Sequence, residues 1–123
     1  MNKQELKCRK ILKKYIAILN LNHFDIKLKF HKKEHENNAA GDCKIDLKYR
    51  WAEVGIYPCA FEKENDLDHI IAHELSHIII EPLYTFCFDL MNTRFRTGVE
   101  IEEQREIAVD AIARAIKKVK AGE

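Results

Sequence analysis

Residues 67–80 read LDHIIAHELSHIII, and this stretch predicts the central helix of the fold. Its apolar side chains recur every three or four residues, as in a helix with one buried face. They are Leu67, Ile71, Leu75, Ile78 and Ile79. Asp66 or Asp68 is a suitable N-cap. The helix is expected to end at about Ile80, because Pro82 lacks a backbone N–H and clashes with the preceding turn.

The residues before this helix predict another helix and a short sheet. A helical period runs from about residue 4 to 19, and alternating apolar positions then appear in residues 24–30, 43–49 and 52–57. The polar stretch 31–42 is expected to be a loop. Two or three strands with one polar face are typical of a small, mostly antiparallel sheet covered by helices on its other side.

The residues after the central helix predict a second long helix. Residues 83–91 are apolar and partly helical in spacing, residues 93–98 are typical of a loop, and residues 99–120 carry a strong apolar stripe. At 123 residues the chain predicts a single α+β domain spanning residues 1–123.

Charge and composition restrict the class of protein. The net charge is only +1, but residues 1–50 contain 13 Lys and Arg against 6 Asp and Glu. The basic N-terminal helix could contact nucleic acid, although a solvated lysine face is more common. The first 14 residues lack the apolar block of a signal peptide, and no apolar run reaches ~20 residues, so we expect a cytoplasmic protein without membrane contact. The four cysteines are scattered, which argues against a zinc ribbon.

The segment His73-Glu74-Leu75-Ser76-His77 points to a zinc site. Residues four apart on a helix lie one above the other, so His73 and His77 can bind one zinc ion. Glu74 lies beside that ion and can accept a proton from a water molecule whose pKa the metal lowers. The alternative is a helix in which the two histidines have no function. Burying two imidazoles and a carboxylate among isoleucines costs several kcal/mol, however, unless a metal or hydrogen bonds compensate. His69, four residues before His73, is expected to be a capping or surface residue.

The third protein ligand is expected among the acids of the last helix, since no histidine follows His77. The candidates are Glu100, Glu102, Glu103 and Glu106.

At residues 43–116 the chain resembles the gluzincin metallopeptidases, and it is similar to their small single-domain members and to small phage or mobile-element metallopeptidase proteins. The resemblance lies in the H-E-x-x-H helix, an edge-like strand before it and the Glu106-x-x-x-Asp110 pattern after it. It implies a zincin-like fold in which Glu106 is the third ligand and Asp110 orients His73 through a hydrogen bond.

The position on the helical wheel leaves an alternative open, because Glu102 lies closer to the apolar stripe than Glu106 and has Glu106 four residues after it. Glu103 is a third choice. The resemblance further implies that Tyr84 could donate a hydrogen bond to the developing oxyanion. Packing of an aromatic side chain under the loop is the more common explanation for Tyr84.

The resemblance also implies that an edge strand holds an extended peptide by strand addition, a role that falls to Val54, Gly55 and Ile56. The expected function is therefore a zinc metallopeptidase that acts on a peptide or protein substrate through water activated by Glu74. The alternative is a zinc-stabilised regulatory or nucleic-acid-associated protein of a mobile element, without generic protease activity.

Overall fold

The computed structural model describes residues 2–91 and 98–121. Its elements in chain order are α1 (Lys3–Ile18), β1 (Asp25–Phe30), β2 (Gly41–Asp46), β3 (Trp51–Ile56), a short 3-10 helix (Pro58–Phe61), α2 (Leu67–Met91) and α3 (Gly98–Ala121). The α+β class expected from the sequence is confirmed. Of the expected loop at residues 93–98, residues 93–97 lie outside the described residues, and Gly98 begins α3.

The three strands form a mixed sheet in the order β1-β3-β2. β2 pairs with β3 in antiparallel fashion, whereas β1 runs parallel to β3. The expectation of a mostly antiparallel sheet was therefore wrong. The reason is the loop 31–40, which is long enough to carry the chain past the place that β3 later fills between the other two strands.

A tight turn ends β2 earlier than the alternation suggested. The backbone N–H of Tyr49 donates to Asp46 Oδ1 at 2.9 Å, and Arg50 has a positive φ of 55°. Asp side chains favour such turns because they accept hydrogen bonds from the backbone two or three residues on. The strand thus covers residues 41–46 rather than 43–49, and the apolar residues after Asp46 belong to the turn.

β3 is the central strand, so the prediction that residues 52–57 form an edge was wrong. Its register pairs Val54 with both Leu28 of β1 and Cys43 of β2. Val54 and Ile56 are fully buried, and Gly55 is buried between them. Strand addition to these three residues is not available, because both edges of β3 already hydrogen-bond within the sheet. The free edge beside α2 belongs to β2.

α2 continues for three turns beyond its expected end. Asp66 caps its first turn, accepting a hydrogen bond from the His69 backbone N–H at 3.3 Å. Pro82 lies inside the helix and is exposed, and the helix reaches Met91. A proline inside a helix removes one backbone hydrogen bond and costs ~3 kcal/mol. The packing of α2 along α3 offsets this cost, an effect that local sequence does not reveal.

The core surrounds α2, which contacts α1, α3 and the strands β2 and β3. Its fully buried residues Ile71, Ala72 and Leu75 belong to one cluster with the apolar face of α1. Asp68, in the first turn of α2, bonds Lys14 at 2.8 Å and also the Tyr15 hydroxyl. α2 is therefore held on several sides. None of the described helices combines the length and the apolar character needed to cross a bilayer.

Candidate metal centre

One stripe of α2 carries polar side chains at intervals of four residues and faces α3. It consists of His69, His73, His77 and Glu81. Each member lies close to a charged residue of α3, and the partners run in reverse chain order, from Asp110 through Glu106 to Arg105. The two helices therefore run antiparallel with a row of polar contacts between them. Spacing by four keeps the members of such a stripe on one side of the helix.

Glu106 bridges the two histidines of the H-E-x-x-H segment. Its Oε2 lies 3.2 Å from His73 Nε2, and its Oε1 lies 3.2 Å from His77 Nε2. Two ligand atoms of a tetrahedral zinc, each ~2.05 Å from the metal, are about 3.3 Å apart. Each of these two distances is compatible with a pair of ligands of one zinc ion. Two groups of described residues have ligand atoms that all lie within 4.8 Å of one another, namely His73, Glu74 and His77, and His69, His73 and Asp110; Glu106 belongs to neither group.

Both ring nitrogens of His73 face a carboxylate. His73 Nδ1 lies 3.5 Å from Asp110 Oδ1, while Nε2 faces Glu106. A neutral imidazole has only one N–H, so it can donate to one of these carboxylates and leaves a lone pair facing the other. A second proton on the ring would remove this conflict, since both nitrogens then donate. A metal at Nε2 would also remove it and would leave Nδ1–H to donate to Asp110, the arrangement common to histidine ligands.

This chain matches no known protein family, no curated protein and no solved structure in sequence or fold comparisons. The chemistry of the site therefore has to be read from its own residues.

Asp110 has three partners, of which the sequence predicted one. Oδ1 lies 2.9 Å from His69 Nε2, closer than His73, and Oδ2 accepts a hydrogen bond of 2.6 Å from Arg114 Nε. The bond from Arg114, followed by that from His69, lowers the pKa of Asp110 to about 2. The carboxylate is thus ionised and well held. His69 was expected at the surface or in a cap, and instead it lines the cleft.

Glu74 is a buried carboxyl group with only 7% of its surface exposed. Its Oε1 lies 3.9 Å from His77 Nε2. Burial, then the nearby charges of Glu106 and Asp42, raises the pKa of Glu74 to about 8. A carboxyl group with such a pKa is matched to accepting and returning a proton near neutral pH.

His77 is held in the neutral form, which is the form that binds metals. Burial lowers the pKa of its imidazole to about 4, although the carboxylate of Glu106 acts in the opposite direction. His77 therefore presents a free nitrogen lone pair at neutral pH.

These groups line an open cleft of about 480 Å³ between α2, β2 and α3. One wall is the segment from Ala39 to Cys43, which leads into β2, and the other contains Glu81, Arg105 and Glu106. Arg105 is the only lysine or arginine among the described residues that line the cleft.

Gly41 allows β2 to approach the base of the cleft closely. A Cβ at this position would lie 3.0 Å from the carbonyl oxygen of Gly55 and 3.3 Å from Glu74 Cγ. Any side chain here would thus press on the general-base candidate. At Gly55 the space of a Cβ is filled by the Asp42 carboxylate, which accepts a 2.7 Å hydrogen bond from Tyr57.

The remaining candidates lie elsewhere. The Tyr84 hydroxyl donates to Glu102 Oε1 at 3.3 Å, and neither residue is among the described residues that line the cleft. Glu103 is exposed and does not line it either. Of Glu102, Glu103 and Glu106, the structure brings only Glu106 to the histidines. The side chain of the fourth candidate, Glu100, lies outside the described residues. Ligation itself stays a prediction.

Sequence reasoning missed several residues of the cleft, namely Asp42, Cys43, His69, Glu81 and Arg105, and also Arg114, which bonds Asp110. A signal existed for two of them. His69 and Glu81 continue the four-residue spacing of His73 and His77 in both directions. The others come from β2 and α3, whose approach to α2 is a tertiary feature.

Proposed function

We propose that the chain is a zincin-like zinc metallopeptidase. The observation that carries the proposal is the convergence of His73 Nε2, His77 Nε2 and the Glu106 carboxylate at ligand spacing, beside the buried Glu74. A site used only for structural metal binding is normally closed by four protein ligands. Here three ligand groups face an open cleft, and a carboxyl group suited to proton transfer stands beside them.

The zinc ion, when bound, polarises a carbonyl oxygen and lowers the pKa of a water molecule. Glu74 would serve as the general base that takes a proton from the attacking water and as the general acid that gives it to the leaving amine, because its carboxyl group is buried beside His77. Asp110 keeps His73 in one orientation and tautomer. In this proposal Glu74 transfers protons, His73 binds the metal and Asp110 positions His73.

β2 is the natural place for the substrate chain. It is the sheet edge next to α2, and its outer edge pairs with no other strand of the described residues. An extended peptide can add to such an edge through backbone hydrogen bonds, which puts a peptide group in front of the histidines across the cleft. We therefore assign substrate binding by strand addition to Gly41–Asp46 instead of to the buried residues of β3.

The proposal is tested by metal content and by hydrolysis. Zinc per chain is measured by mass spectrometry for the parent, for His77→Ala and for the control His23→Ala, which changes an exposed histidine outside the cleft. We expect about one zinc in the parent and the control and almost none in His77→Ala. Zinc that persists in His77→Ala would disprove the site.

Hydrolysis is then followed with a library of quenched fluorescent peptides. Glu74→Gln is expected to keep its zinc and to lose activity by roughly 10²–10⁴-fold, the usual contribution of a general base. A Glu74→Gln variant that cleaves as fast as the parent would refute the mechanism. A parent that binds zinc yet cleaves no peptide would favour the regulatory alternative.

A second candidate function rests on the outer face of α1. Lys3, Lys7, Arg9, Lys10 and Lys13 are exposed there, whereas the buried face holds the core. Such a face can bind nucleic-acid phosphates. The logarithm of the binding constant for a fluorescent DNA duplex should then fall linearly with the logarithm of salt concentration, because each phosphate contact releases counterions. Affinity that does not respond to salt would exclude this function.

A further inference from the structure

Arg105 is the residue of the cleft whose environment remains unexplained. Its Nε is the one buried polar side-chain atom of the described residues that has no hydrogen-bond partner. Native proteins rarely leave such a donor unpaired, so each case asks for an explanation. The nearest acceptor at a charged group is Glu106 Oε1, at 3.9 Å from Nε.

The guanidinium group is fixed from two other sides. Its Nη1 lies 3.3 and 3.5 Å from the two carboxylate oxygens of Glu81, and its plane lies over the Tyr84 ring at 3.9 Å from the ring centre. Both partners belong to α2. Arg105 is therefore held in one place by the helix that also carries the two histidines.

Glu106 itself contacts only the two histidines and, at a longer distance, Arg105 among the described residues. Its side chain is 49% exposed, whereas those of His73 and His77 are 21% and 12% exposed. A half-exposed glutamate samples several rotamers, and ordering it on metal binding costs conformational entropy. A fixed positive donor beside it reduces this cost before the metal arrives.

We propose that Arg105 is the positioning residue of the metal ligand Glu106. Its positive charge, with Nε 3.9 Å from Oε1, attracts the Glu106 carboxylate and keeps it against the two histidines, and Glu81 and Tyr84 hold Arg105 in turn. The inference rests on the proposed metal centre and deepens it. Arginine suits the role because its planar group keeps several fixed donors and stays charged.

The rival explanation is that Arg105 only ties α3 to α2 through Glu81. Two variants separate the explanations. Arg105→Gln removes the charge and the Nε donor, whereas the matched Glu81→Gln removes the ion pair between the helices but leaves Arg105 beside Glu106. Both are compared with the parent and with Arg105→Lys, which restores charge without the planar group.

Zinc affinity of the full chain is measured by competition with a chromophoric chelator. We expect Arg105→Gln to bind zinc roughly tenfold to a hundredfold more weakly, the range found for outer partners of metal ligands. Arg105→Lys should recover part of the loss, and Glu81→Gln should lose less than Arg105→Gln. The visible spectrum of the cobalt-substituted protein should shift in Arg105→Gln, since Glu106 is then held differently.

Thermal unfolding of the metal-free variants gives the structural effect of each substitution. Arg105→Gln and Glu81→Gln are expected to lower the unfolding midpoint by similar amounts, so a difference in zinc affinity cannot come from stability alone. Two results would overturn the role of Arg105 but not the metal centre. One is a zinc affinity of Arg105→Gln within twofold of the parent, and the other is an equal loss of zinc affinity in Glu81→Gln. A parent that binds no zinc would instead overturn the metal centre, and the inference with it.

Discussion

Exchanging Glu106 for glutamine is the most direct test of the ligand set. The substitution keeps the size of the side chain and removes its charge, which in the structure faces His73 Nε2 and His77 Nε2 at 3.2 Å each. Zinc sites of four ligands bind with ~10–16 kcal/mol, or about 3 kcal/mol per ligand. Since ~1.4 kcal/mol is a factor of ten, losing one ligand should weaken zinc binding by roughly 10²-fold.

Glu102→Gln is the matched control, because it removes the same charge one helical turn earlier on α3. Glu102 is exposed and accepts a hydrogen bond only from Tyr84 among the described contacts. Its zinc affinity should therefore stay within about twofold of the parent, as expected for a surface charge. Isothermal titration of zinc into metal-free protein, with a competing chelator for the parent, measures both variants.

The result that refutes this reasoning is a Glu106→Gln variant with the affinity of the parent. An equal loss in the two variants would mean that the general negative charge of α3, rather than one ligand, attracts the metal.

Three further predictions concern positioning, the cleft wall and the core. Asp110→Asn should weaken zinc binding roughly tenfold to a hundredfold, measured by chelator competition, because an amide no longer fixes the tautomer of the ligand histidine; unchanged affinity would contradict the role. Gly55→Ala should displace the Asp42 carboxylate, which fills the place of the new Cβ, so the NMR chemical shifts of Asp42 and Tyr57 should change; changes confined to other residues would contradict this. Leu75→Ala should lower the free energy of unfolding, measured with urea, by roughly 2–5 kcal/mol, because Leu75 is fully buried. Leu83 is 60% exposed, so Leu83→Ala should change this free energy by less than about 1 kcal/mol.

The histidine helix shows how far local pattern reaches. Its apolar arc and the spacing of His73 and His77 are properties of consecutive residues, and both were visible before any tertiary contact was known. The end of the same helix was not visible. Pro82 is a strong local stop signal, and it was overridden because α2 packs along α3.

The sheet also shows the difference between what the local sequence pattern predicts and what tertiary packing decides. Alternation predicted where the strands lie to within a few residues, since the period of two reflects one buried face. Alternation carries no information about strand order. The paired edges of β3 and the free edge of β2 depend on the path of the loop 31–40, and this changed the expected substrate strand from Val54–Ile56 to Gly41–Asp46.

The acidic ligand illustrates the same limit within the site. The wheel of α3 ranks Glu102 above Glu106 by distance from the apolar stripe, whereas the resemblance to gluzincins favours Glu106. The choice depends on how α3 is rotated and shifted against α2, and the structure sets Glu106 opposite His73 and His77 while Glu102 reaches Tyr84.

The sequence by itself determined the helix that carries His73, Glu74 and His77, because spacing along one helix is enough to bring their side chains to one side. It also determined the α+β class. Only the tertiary structure decided which carboxylate lies beside them, which strand borders the cleft, and that His69 and Arg105 line it. These features depend on contacts between residues distant in sequence, such as Glu106 with His73 and Gly41 with Glu74.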